Sequence, residues 1–179
     1  MPYTLQQLSD LEEIRLLKHR YYRGIDTADE KLLSSLLAED VTVEYRGGSY
    51  RVNVAGREKT VNFLMDSFNS DSLAMHHGHM SEIEFQGEND ATGLWALDDL
   101  FISLERKDVT TGSAIYRDRY VRINGEWKIA ATEYDRIVEI VEPLRDDVQI
   151  TTHYLANVGR KPQQRGDQSD TLTWITKSD

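Results

Sequence analysis

The hydrophobic period of the chain changes near residue 41, and that change restricts the fold more than any single motif. Leu5, Leu8, Leu11, Ile14, Leu17, Tyr21 and Ile25 recur at steps of three and four, one stripe of an amphipathic helix. Thr4 and Gln7 have the spacing of a capping box at its start, and Gly24 loosens its end. A second, shorter helix follows Thr27–Asp29, with Leu32, Leu33, Leu36 and Leu37 on one side. Val41, Val43 and Tyr45 then alternate with polar neighbours, Gly47 and Gly48 supply a turn, and Tyr50, Val52 and Val54 alternate again. A third helix is predicted from Arg57 to Phe68, with Val61, Leu64, Met65 and Phe68 inward.

The segments beyond it read as four long strands. His76 to Phe85 and Ala91 to Leu104 flank a polar turn, and Ser113 to Ile123 and Glu126 to Val141 flank Asn124-Gly125, a strong hairpin signal. From Val158 the chain turns polar and aperiodic, so residues 158–179 read as a mobile or partner-draped tail behind one domain, residues 1–157. Helices followed by a strand meander argue for an α+β fold. The expected form is a curved, mixed or antiparallel sheet bent into a cone and closed by three helices, with an apolar cavity between the layers.

Charge and composition remove several function classes. Asp and Glu number 31 against 21 Lys and Arg, leaving a formal net charge of −10. That balance disfavours nucleic acid and anionic membranes as partners. The chain has no cysteine, which excludes disulfides and thiolate nucleophiles. No stretch approaches the roughly 18 apolar residues of a spanning helix. The start, MPYTLQQLSD, lacks a charged region followed by an apolar run, so no signal peptide and a cytoplasmic location are expected. Phosphate-binding glycine loops, a G-x-S-x-G elbow and H-E-x-x-H are all missing. What remains is side-chain acid–base chemistry without a cofactor, or simple binding.

Polar residues on inward positions carry the functional signal. Tyr45 continues the parity of Val41 and Val43, and Asp99 shares strand parity with Trp95 and Leu97. A carboxylate on such a face must be paired, or protonated through a raised pKa. Tyr21 lies on the core stripe of the first helix, and Asp26 stands at that helix's end, where it could equally begin a turn. Helical spacing alone would pair Asp26 with Tyr22. His76, His77 and His79 hold three of the five histidines, and a neutral imidazole is a natural general base near pH 7. Adjacent strand residues point to opposite faces, so His76 and His77 do not easily share a metal ion; His77 and His79 could, but no nearby carboxylate at fixed spacing completes a site, and no metal is expected. Arg136, if inward, could hold a carboxylate or an anionic ligand tail.

The segments YYRGID, VTVEYRGG, MHHGHMSEIEF, ATGLWALDDL, YRDRYVRINGEWKI and EYDRIVEI resemble the SnoaL-like branch of the nuclear-transport-factor-2-like (NTF2-like) superfamily. Within it they are most similar to the bacterial bile acid 7α-dehydratases, and more distantly to scytalone dehydratase and hexachlorocyclohexane dehydrochlorinase. The resemblance implies a cone-shaped α+β barrel, usually a homotrimer, and elimination without a cofactor or metal. It implies Tyr21, Asp26 and His76 as catalytic residues, and Tyr45, Asp99 and Arg136 as polar groups lining the substrate pocket. Asp99, if neutral, would donate a hydrogen bond there. The expected substrate is a small, apolar, hydroxylated molecule, steroid-like or polycyclic, free or as a coenzyme A thioester. Isomerisation, polyketide-type cyclisation and ligand binding without catalysis are the alternatives. Ser49–Val54, the loop Ile102–Gly112, His77 and the long tail depart from the family pattern and bear on substrate identity.

Overall fold

The structure, a computed structural model, describes residues 3–175. Helix α1 (Leu5–Asp26) and helix α2 (Glu30–Leu36) lead into strands β1 (Leu37–Arg46) and β2 (Tyr50–Ala55), followed by helix α3 (Arg57–Ser67). Strands β3 (Ser72–Phe85), β4 (Asp90–Ser103), β5 (Asp108–Ile123) and β6 (Glu126–Pro143) form the meander. A single helical turn α4 (Leu155–Val158), a 3-10 turn (Pro162–Gln164) and strand β7 (Leu172–Trp174) complete the chain. No helix among the described residues is long and apolar enough to cross a membrane.

All seven strands belong to one sheet in the order β3-β4-β5-β6-β1-β2-β7. Among the described residues only β1 and β6 run parallel; every other pairing is antiparallel. The α+β class and curved sheet expected are therefore present, and the parallel β1–β6 pair makes the sheet mixed, where the change of period alone points to an antiparallel one. Asn124 and Gly125 both take positive φ, 52° and 84°, and join β5 to β6 through a two-residue turn.

The capping box at the start of α1 is formed: Thr4 Oγ1 accepts from Gln7 N at 3.1 Å, and Gln7 Oε1 accepts from Thr4 N at 2.9 Å. Leu5 and Leu8, read as part of the core stripe, are exposed instead, because no described element covers the first turns. The buried stripe runs from Leu11 through Ile14, Leu17, Tyr21, Tyr22 and Ile25, and it includes Lys18. The inner face of the sheet meets it with Val41, Val43, Trp95, Leu97, Tyr116 and Ile129, among others.

Two expectations need correction. The supposed loop Ile102–Gly112 is only a tight turn, since β4 runs to Ser103 and β5 begins at Asp108. In place of a mobile tail, the described residues from 158 on pack on their own chain. Asp66 of α3, buried, accepts hydrogen bonds from Arg160 Nη1 at 2.9 Å, Gly166 N at 3.0 Å and Gln168 Nε2 at 2.8 Å. Arg165 pairs with Asp71, and β7 adds antiparallel to β2. Polar composition concealed this because the tail is held by ion pairs and backbone bonds, not by an apolar stripe. Residues 176–179 of the tail lie outside the described residues.

Candidate active site

A cavity of about 310 Å³ opens between the concave face of the sheet, α3 and the tail. His76 of β3 stands on its wall, with its side chain only 8% exposed. Asp26, the last residue of α1, reaches it from behind: Oδ1 lies 2.6 Å from His76 Nδ1, and Oδ2 accepts from the His76 backbone N–H at 3.0 Å. One carboxylate thus fixes both the ring and the strand that carries it. An ionised carboxylate only accepts, so the hydrogen sits on Nδ1 and the lone pair on Nε2. Tyr22 stacks on the imidazole with centroids 6.2 Å apart, and Phe68 meets it edge-on at 5.2 Å. Helical spacing had suggested a partnership of Asp26 with Tyr22; the two instead converge on the same histidine. Gly78 makes this possible, because a Cβ there would come within 2.0 Å of the Tyr22 ring.

The tyrosines form a second cluster. Tyr45 lies on the cavity wall, whereas Tyr21 is fully buried behind it, and their hydroxyls are hydrogen-bonded. Tyr45 stacks on Tyr134 at 4.4 Å, Tyr116 packs edge-on against both, and the Tyr134 hydroxyl bonds that of Tyr50. Tyr50, Tyr116 and Tyr134 line the cavity as well, a role the sequence reading did not give them. Their inward parity was the available signal. Burial raises the pKa of each phenol, so all act as neutral donors and acceptors.

Asp99 and Arg136 both face the cavity. Arg136 Nη1 donates to Asp99 Oδ1 at 2.5 Å and Nη2 to Oδ2 at 2.7 Å, with side chains 8% and 7% exposed. Asp99 is therefore an acceptor in a two-pronged ion pair, not the neutral donor considered from sequence. This pair holds the guanidinium charged, and its pKa lies above the ordinary arginine value despite the opposing effect of burial. Arg136 spans from β6 to β4 across Gly112 of β5, where a Cβ would stand 3.1 Å from Nη1. Glu139 joins from the far side of a bulge at Ile137, its Oε2 3.3 Å from Arg136 Nε. Sequence parity could not place Glu139, because the bulge shifts it by one residue onto the face that Arg136 occupies.

His77 is exposed, and His79 Nε2 bonds Asp98 3.1 Å away, on a partly exposed surface. The sequence reading also missed a buried pair beside the tyrosines. Lys18 Nζ lies 2.7 Å from Asp118 Oδ2, both side chains 0% exposed, and 3.7 Å from the Tyr116 ring centroid. Asp118 further accepts from Tyr120 at 2.6 Å and Thr132 at 2.7 Å, and Tyr120 accepts from Trp95 at 2.8 Å. Both ions lay on inward positions, the same signal that singled out Asp99.

Solved structures share this arrangement of elements. A hexachlorocyclohexane dehydrochlorinase (LinA type 2) superposes with a TM-score of 0.71 at 19% identity, over 83% of this chain and 97% of that one. A provisionally assigned scytalone dehydratase from Novosphingobium aromaticivorans gives 0.69 at 19%, over 83% and 97%. A type 3 LinA dehydrochlorinase from Novosphingobium barchaimii gives 0.69 at 18%, over 83% and 99%. At these identities the likeness is one of fold. The SnoaL-like domain model matches residues 6–133, the stretch that carries α1, the histidine strand and most of the cavity wall. The chain belongs to the SnoaL-like domain family of the NTF2-like superfamily.

Proposed function

We propose that the protein is a cofactor-free lyase that removes water from a hydroxylated, apolar enone of steroid-like or polycyclic shape. The observation that carries this reading is the 2.6 Å contact between Asp26 and the Nδ1 of a cavity-wall histidine. It leaves Nε2 as a base whose conjugate acid the carboxylate stabilises. A ligand-binding module has no need of such a pair.

In this reading His76 Nε2 takes a proton from carbon made acidic by a conjugated carbonyl. Tyr45, its hydroxyl oriented by Tyr21, donates to the oxygen where charge develops. The C–H electron pair becomes the new double bond as the C–O bond breaks, and the proton held on His76 Nε2 passes to the leaving hydroxyl, which departs as water and leaves the imidazole neutral again. Enclosure by α3 and the tail keeps bulk water from the base. Tyr21 and Asp26 thus act through Tyr45 and His76, while Tyr45, Asp99 and Arg136 contact the substrate. A homotrimer belongs to the same proposal; exposed Ile137, Val138, Ile140 and Val141 on β6 are apolar surface that an assembly would cover.

The test is an ultraviolet and mass scan of the purified protein against hydroxy-enones, as acids and thioesters, with His76→Ala as the control. A red-shifted product lighter by about 18 Da, absent with the variant, is the expected result. A mass-neutral product would mean isomerisation or cyclisation by the same dyad. Tight binding without turnover, unchanged in the variant, would make the protein a binding module.

A further inference from the structure

We propose that Glu139 sets the charge preference of the cavity, so that a ligand presents an uncharged hydroxyl or carbonyl, not a carboxylate, to the Arg136 end. The proposal rests on the cavity being the substrate site and adds to that reading a class of substrate. By residue type alone, Arg136 would attract an anion. Its surroundings reverse that preference.

One guanidinium is held between two carboxylates, and all three side chains are at least nine-tenths buried. Asp99 takes two of its N–H groups. Glu139 Oε1 is fixed by the Ser49 N–H and hydroxyl, each at 3.2 Å, while Oε2 lies against Arg136 Nε. Neither Oε2 nor Nε completes a hydrogen bond, although both are buried. The cluster therefore carries one negative charge in excess, with little water to screen it. The other guanidiniums of the wall offer an anion no better place. Arg106 is bonded to Asp108 and Arg165 to Asp71, so among the described residues every guanidinium lining the cavity already has a carboxylate.

A ligand carboxylate brought to this end meets a like charge in a poorly solvated site and is rejected. A neutral oxygen is not. The remaining guanidinium hydrogens and the phenols of Tyr50 and Tyr134 supply donors and acceptors for it. Glu139 enters this site only because the bulge at Ile137 turns it inward beside Arg136.

The experiment compares binding of two fluorescent probes of one shape, naphthylethanol and naphthylacetate, by titration of the full chain at neutral pH. The alcohol is expected to bind at least about tenfold more tightly than the acid. Glu139→Gln should bring the two affinities together or reverse them, and Glu84→Gln, an equal change of charge on an exposed residue at the far end of β3, should leave the preference unchanged. An acid that binds wild type as tightly as the alcohol, a preference unaltered in Glu139→Gln, or binding of neither probe overturns the proposal. The wild-type comparison stands even if the variant folds poorly. Failure here with water still lost from an enone would remove the specificity claim and leave the lyase reading intact. A preserved preference without turnover would do the reverse.

Discussion

His76 and Asp99 are direct cross-strand partners on β3 and β4, and the row they begin continues through Gly112 of β5 to Glu139 of β6. Four strands thus set the proposed base, the ion pair and the second carboxylate in one line across the concave face. Gly112 leaves the gap in that line, and the Arg136 side chain fills it. The spacing between the two ends is fixed by backbone hydrogen bonds, which makes the site a rigid feature of the sheet.

Asp26→Asn should leave the fold intact and lower turnover by about 10²–10⁴-fold. An amide can donate to Nδ1, which favours the wrong tautomer and removes the charge that stabilises the imidazolium. Single-turnover rates beside unchanged circular dichroism are the check; activity near wild type would remove Asp26 from the mechanism.

Gly112→Ala places a Cβ 2.3 Å from the Val138 carbonyl oxygen, a backbone atom that cannot step aside. We expect a loss of about 1–3 kcal/mol. Gly87→Ala, where a Cβ meets nothing within 4 Å, should change stability by no more than about 0.5 kcal/mol. Urea unfolding of the two variants side by side measures the contrast.

Lys18→Met should cost about 3–5 kcal/mol, because it strands Asp118 as a buried, uncompensated charge. Burial already pushes the Lys18 pKa down, against the pull of Asp118. The double variant Lys18→Met, Asp118→Asn should regain part of the loss. A denaturation double-mutant cycle showing purely additive losses would mean that the pair is not coupled.

Seven phenols, those of Tyr21, Tyr22, Tyr45, Tyr50, Tyr116, Tyr120 and Tyr134, have pKa values raised above 10.0, first of all by desolvation. Above that pH the unfolded chain binds fewer protons than the folded one, so stability falls as pH rises. Their contribution is complete below pH 10 and is lost above it. Phenolate absorbance and circular dichroism followed together in an alkaline titration should show these groups ionising with unfolding and not before it.

Asp66→Ala removes the acceptor that holds Arg160, Gly166 and Gln168. Limited proteolysis should then cut within residues 160–175 much faster than in wild type, while the meander stays protected. Equal cutting rates would show that β7 and Arg165 suffice to hold the tail.

The sequence determined the elements, because period is a local property. Leucines spaced for a helix, alternation from Val41, and Asn124-Gly125 each act within a few residues. They yielded α1 to α3, the meander and the α+β class. Inward parity also marked Tyr45 and Asp99 as polar groups on the core side, residue type and position marked Tyr21, Asp26, His76 and Arg136, and the resemblance to the SnoaL-like family implied a role for each. Tertiary structure decided what each of them meets. Asp26 lies 50 positions from His76 in the chain, and only the crossing of α1 over β3 brings them within 2.6 Å. Glu139 faces the cavity through a bulge, and Lys18 is buried because Asp118 arrives from β5 to pair with it. The tail closes the site through ion pairs between distant residues. Such contacts depend on strand order and register, which are set by the packing of the whole sheet and leave no periodic trace in the chain.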